Sequence, residues 1–125
     1  MIVDYKKILT LLLIVSNMLY SNEPYISVYG LSVEVDERKT DGRSWDISGG
    51  APDIEIVING KSMDFSRKCR DRYRCHNFFV SDNNRWYIEV YDRDIYSNDL
   101  IGKGYCFSGL ACHIGGAKLK IEKKL

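Results

Sequence analysis

The chain has 125 residues, with 18 Lys and Arg against 17 Asp and Glu, 45% hydrophobic residues and 12% aromatics. This length suits one domain and leaves no room for a multidomain enzyme, and the composition excludes a disordered chain. A formal net charge of +1 and an isoelectric point of about 7.6 exclude a general nucleic-acid binder, which carries surplus positive charge.

In residues 1–21, Lys6 and Lys7 precede the apolar run Ile8 to Val15, and Ser21 offers a small residue for cleavage. This pattern predicts a secretory signal peptide, placing the protein in a secreted or periplasmic setting. The run is short for a bilayer span and no Cys follows it closely, so neither a membrane anchor nor a lipoprotein is favoured. The alternatives are an uncleaved N-terminal anchor and a buried first helix. Cleavage takes two of the basic residues and one acidic residue, so segment 22–125 carries no net charge.

From Tyr25 onward the sequence runs in short alternating segments with no sustained helical period. Ile26 and Val28, then Leu31, Val33 and Val35, predict a first strand or strand pair around Gly30. Ile54, Ile56 and Ile58 predict a strand that turns at Asn59-Gly60, a type I′ signal, and returns from Lys61 to about Ser66. His76 to Val80 makes another strand. Trp86, Ile88 and Val90 alternate with Tyr87, Glu89 and Tyr91, the clearest period-two run in the chain, and predict a central strand. Leu100 to Phe107 and Ala117 to Ile121 complete seven or eight strands, which indicates an all-β antiparallel sandwich over residues 22–125.

Export makes the four cysteines disulfide candidates, and four cysteines allow three connectivities. CRDRYRC and CFSGLAC each separate a pair by five residues, a spacing that suits a tight loop, so Cys69 is expected to pair with Cys75 and Cys106 with Cys112. Zinc is the rival, because His76 and His113 follow the second Cys of each pair. Adjacent residues on a strand point to opposite faces, however, and structural zinc sites favour shorter Cys spacings.

Two loops are rich in acids. One carries Asp92, Asp94 and Asp99 within DRDIYSNDLIG, and the other carries Asp41, Asp46 and Asp53 within DGRSWDISGGAPD. If both emerge at one end of the sandwich, five or six carboxylates converge and raise one another's pKa unless a cation joins them. Oxygen ligands on flexible loops are what Ca²⁺ requires, six to eight of them. An EF-hand is excluded, since Ser97 stands where that loop demands Gly and no Glu falls at its twelfth position.

At these residues the chain resembles a C2 domain, the eight-stranded Ca²⁺- and phospholipid-binding sandwich, here in a secreted, bacterial-type form. Gly50-Ala51-Pro52-Asp53 resembles the family's Gly, small residue and Asp before a strand. Asp92, Asp94, Asp99 and Leu100-Ile101-Gly102 resemble its D-x-D signature with a following Asp, two apolar residues and Gly. The resemblance implies Ca²⁺ ligation by Asp46 and Asp53 from one loop and by Asp92, Asp94 and Asp99 from the other, with Asp92 bridging two ions. It further implies a carbonyl from Arg93 and a hydroxyl from Ser97. Two features depart from the pattern: the first loop is long, so Asp41 competes with Asp46, and Ile54 stands where Pro is usual.

Arg67, Lys68, Arg70, Arg72 and Arg74 crowd around the first cysteine pair and form a candidate contact for an anionic lipid or membrane surface, or else a solvated loop guarding an edge strand. Trp45, Ile47, Ile95 and Tyr96 are placed to touch a membrane interface. No catalytic constellation stands out, and metal-assisted phosphoester hydrolysis lacks a general acid beside the acids. The sequence therefore points to a Ca²⁺-binding module that docks anionic phospholipid or another partner. The alternative is a disulfide-stapled structural or protein-interaction sandwich whose acids only solvate its loops.

Overall fold

The computed structural model describes residues 26–39, 41–45, 50–63, 69–94 and 98–125. Segment 1–21, the candidate ligands Asp46 and Ser97, the basic residues Arg67 and Lys68, and Ile47, Ile95 and Tyr96 lie outside the described residues. Among those described, every regular element is a strand: β1 (Ser27–Val35), β2 (Ile54–Ile58), β3 (Lys61–Met63), β4 (Arg74–Ser81), β5 (Arg85–Asp92), β6 (Asp99–Phe107), β7 (Ala111–Ile114) and β8 (Ala117–Lys123). They form two four-stranded sheets, β4-β1-β8-β7 and β3-β2-β5-β6, with all strand neighbours antiparallel.

Period-two alternation explains the sandwich. Ile54, Ile56, Ile58, Trp86, Ile88 and Val90 present one buried face, and Leu31, Val33, Val35, Leu119 and Ile121 present the other. As expected, β5 is central, between β2 and β6. Asn59 and Gly60 have φ of 50° and 80°, and Ile58 pairs with Lys61, which is the two-residue type I′ hairpin.

The first strand takes the single-strand form of its expected reading. One nine-residue strand passes straight through Gly30, where a side chain's Cβ would lie 3.0 Å from Lys124 Cε and 3.2 Å from His76 Cε1. Because Leu31, Val33 and Val35 face the core, the same parity turns Tyr29 inward and Val28 outward, and Ile26 is 69% exposed. Tyr29 packs with Phe79 and Trp86 at ring separations of 4.8 to 5.6 Å. The polar atoms of this trio are matched: Tyr29 donates to the Asn83 carbonyl and Trp86 Nε1 to Ser81 Oγ.

Both expected disulfides form, Cys69–Cys75 and Cys106–Cys112, which removes the cysteines from any zinc site. Each closes an edge of the sandwich. Cys106 lies on β6 and Cys112 on β7, the outer strands of the two sheets. Cys75 lies on β4, the opposite outer strand, while the Cys69 carbonyl accepts the Ile54 amide where β2 begins. Two disulfides fit an oxidising setting, extracellular or periplasmic.

The sheets also meet at a glycine crossing. A Cβ on Gly102 would overlap the Ile114 carbonyl, and one on Gly115, whose φ is 58°, would overlap the Ile101 carbonyl. The Gly116 amide donates to that Ile101 carbonyl, and the Asp36 amide donates to the Gly116 carbonyl. The loop after β1, the β7–β8 turn and β6 are thereby fastened together at one end.

Candidate functional site

That end holds the acids. Ile54 pairs with Asp92 and Asp92 with Asp99, so Asp53, Asp92 and Asp99 come from three adjacent strand ends. Asp92 has the same parity as Trp86, Ile88 and Val90, which turns its carboxylate toward the sandwich interior and leaves it only 8% exposed. A bulge beside Val90 and Tyr91 adds Ile101 to β6, which brings Asp99 directly opposite Asp92.

The Asp53 amide donates to Asp92 Oδ1 at 3.0 Å. Asp53 Oδ1 accepts from the Asp71 amide at 2.6 Å, and the Asp53 carbonyl accepts from the Arg93 amide at 2.8 Å. Asp99 Oδ2 lies 3.3 Å from Lys39 Nζ. Burial pushes the Asp92 carboxyl above its ordinary pKa, and the neighbouring charges of Asp53 and Asp99 push the same way. The Asp53 amide and the Lys39 ammonium oppose them.

A cleft of about 280 Å³ opens beside this cluster, lined by Lys39, Asp41, Trp45, Asp99, Ile101 and Gly116 among others. Trp45 is half-buried rather than a projecting tip. Its Nε1 donates to the Asp36 carbonyl at 2.7 Å, and the Lys39 ammonium lies 5.7 Å from its ring centre. Asp41 turns to its own loop, pairing with Arg43 at 2.7 Å, and that guanidinium holds its carboxyl below the ordinary value.

The basic segment is part of the same end. The Ala51 amide donates to Asp71 Oδ1 and the Arg72 amide to the Pro52 carbonyl, so the Cys69–Cys75 ring is stitched to the segment that bears Asp53 and leads into β2. Asp71 does this with φ of 52°, a left-handed conformation that Asp tolerates better than most residues. Arg70, Arg72 and Arg74 are exposed, and Arg74 pairs with Glu34 at 3.4 Å.

The structure thus gathers Asp53, Asp92 and Asp99, places Asp94 exposed on the adjoining loop, and sets Asp41, paired with Arg43, in the lining of the neighbouring cleft. Among the described residues, no three carboxylate, imidazole or thiolate groups are grouped so as to hold a metal ion as they stand. Lys39 and Asp71 are the participants that sequence reasoning missed. His76 and His113 sit on β4 and β7, at opposite edges of one sheet, and form no catalytic pair. Compared with known proteins, the chain matches no protein-family model and no curated protein.

Proposed function

We propose that the protein is an exported, C2-like β-sandwich that binds Ca²⁺ through Asp53, Asp92, Asp94 and Asp99, with no catalytic step of its own. The supporting observation is the almost buried Asp92 carboxylate, pressed between Asp53 and Asp99 and raised in pKa by burial and by both neighbours. A divalent cation relieves that repulsion, and the donor set of hard carboxylate oxygens suits Ca²⁺. Asp46 and Ser97 would add donors to that set. Lys39 holds part of the countercharge and releases Asp99 when an ion arrives. A bound ion orders the two loops and completes its shell with an anionic oxygen, from a phospholipid or from another protein. The two disulfides are consistent with export by residues 1–21.

The Lys39–Asp99 ion pair favours a second reading, in which the ammonium is the site's permanent cation and the fold is a structural or interaction module. Thermal unfolding of the oxidised chain in EDTA, in millimolar Ca²⁺ and in Mg²⁺ separates the two. Ligand at about a hundred times its Kd stabilises by about 2.7 kcal/mol, on the order of 10 °C for a domain of this size. A Ca²⁺-selective rise that Asp92→Asn with Asp94→Asn abolishes supports the first reading, and an unchanged transition selects the second.

A further inference from the structure

The outer face of the β4-β1-β8 part of the sheet carries a trough of about 650 Å³, one mouth of which, at Arg72, adjoins the acid end. Its rims are basic. Arg74 and His76 project from β4 on one side, and Lys118 and Lys120 from β8 on the other. Register sets them in rows across β1: Arg74, Glu34 and Lys118 in one, His76, Ser32 and Lys120 in the next. The two rim strands flank β1, so their backbones stand about 10 Å apart, and successive rim side chains on one strand are about 7 Å apart. Arg72 adds charge at one mouth. Among the described residues neither Arg72 nor Lys118 has a carboxylate within ion-pair distance. Against four permanent cations the lining holds one acid, Glu34, which pairs with Arg74, while Glu122 just beyond the lining pairs with Lys120 at 3.1 Å.

We infer that this trough binds an extended polyanionic polysaccharide, its sulfate groups seated along the two basic rims. The inference stands apart from the Ca²⁺ reading and uses no residue of the acid cluster. Three features select this ligand. The volume is that of a site for a ligand of several rings rather than for one inorganic anion. A bilayer is flat on this scale and meets protruding side chains, whereas a trough between two rims takes a chain. The lining contains no Tyr, Trp or Phe, so a single-stranded nucleic acid finds no stacking platform. Clustered Lys and Arg are the usual footprint for sulfated glycans, and the two disulfides fit the extracellular setting in which such glycans occur.

The test is binding of the oxidised full chain to heparin in EDTA, by titration calorimetry, between about 50 and 200 mM NaCl. Lys118→Ala with Lys120→Ala removes one rim, and Lys61→Ala with Lys103→Ala removes equal charge from exposed positions on the other sheet. The expected result is a loss of about tenfold or more for the rim variant, with a log–log salt slope shallower by about two, and little change for the control. Arg72→Ala provides an independent rim variant, and its expected effect is a smaller loss in the same direction. Equal losses in both double variants, absence of binding at the lowest salt, or tighter binding to single-stranded DNA or to phosphatidylserine vesicles overturns the inference.

Discussion

The backbone amide of Asp53 donates to Asp92 Oδ1 at 3.0 Å, so the loop entering β2 is fastened to the last residue of β5 through a carboxylate that the fold nearly buries. This bond supports the ionised form, but burial and two neighbouring acids outweigh it, and the Asp92 pKa lies above its ordinary value of 3.8. A carboxyl whose folded pKa is raised contributes stability that is fully present below the unfolded pKa and is lost as pH rises through the folded one.

Asp92→Asn keeps an oxygen acceptor for the Asp53 amide and removes the charge. In EDTA at neutral pH the variant is expected to be more stable than the parent, read as a rise in Tm. The difference closes as pH falls through the raised Asp92 pKa, where the parent protonates, and Ca²⁺ no longer stabilises the variant. Thermal unfolding across pH checks each point. A variant less stable than the parent at neutral pH shows that the charge is already neutralised within the fold.

Lys39 gives the complementary case. Its ammonium meets Asp99 at 3.3 Å and opposes the rise in the Asp92 pKa, while it also faces the Trp45 ring. Lys39→Met keeps an apolar stem there and removes the charge. In EDTA the variant is expected to lose under about 1 kcal/mol at neutral pH, since the pair is partly exposed. Its Ca²⁺ affinity rises several-fold, because the ion no longer displaces a tethered cation. Ca²⁺ titration of both proteins decides between the outcomes, and equal affinities remove Lys39 from the site.

Much of the fold was legible because period two is a strong signal when one face is fully buried, as in Ile54–Ile58 and Trp86–Val90. Alternation alone assigns Ile26 and Val28 no face: the parity of β1 turns Val28 outward, and Ile26 precedes the strand and is exposed. β7 was hidden because only Ile114 of its four residues is buried, leaving no alternation to read. At the acid end the D-x-D spacing pointed to Asp92 and Asp99, but Lys39 reaches Asp99 from 60 residues away, a relation that strand pairing creates and spacing cannot express. Asp71 was hidden in a different way. Within CRDRYRC it reads as compensating charge, and its work is done by its backbone amide and by a left-handed φ.

The two disulfides close opposite edges of the sandwich and share no partner, so their contributions should add. Each small ring is worth about 2 to 3 kcal/mol in the chain-entropy account. C69A with C75A and C106A with C112A are each expected to lower stability by about that amount, and the fourfold variant by about the sum. They differ at the acid end. Only the Cys69–Cys75 ring holds Asp71 against Asp53 and Ala51, so only its loss is expected to weaken the Ca²⁺ response. Unfolding with and without Ca²⁺ separates a general staple from a site-bearing one, and equal Ca²⁺ shifts in both variants show that the ring does not organise the acids.

Gly102 has a packing role that the resemblance to a family signature did not supply. Its backbone lies against the Ile114 carbonyl at the β7–β8 turn, and any Cβ there meets main-chain atoms that cannot swing aside as a side-chain tip does. Gly102→Ala is therefore expected to cost about 3 kcal/mol or more, since β6 must move away from the turn or bend. That movement also breaks the bond from the Gly116 amide to the Ile101 carbonyl and shifts Asp99, three residues earlier on the same strand. Gly104→Ala is the comparison, because its Cβ would meet only the Ile114 side chain, which can turn to another rotamer. A loss for Gly104→Ala well below that for Gly102→Ala is the expected order in chemical denaturation. Equal losses would show that β6 yields as a whole rather than being pinned at the glycine crossing.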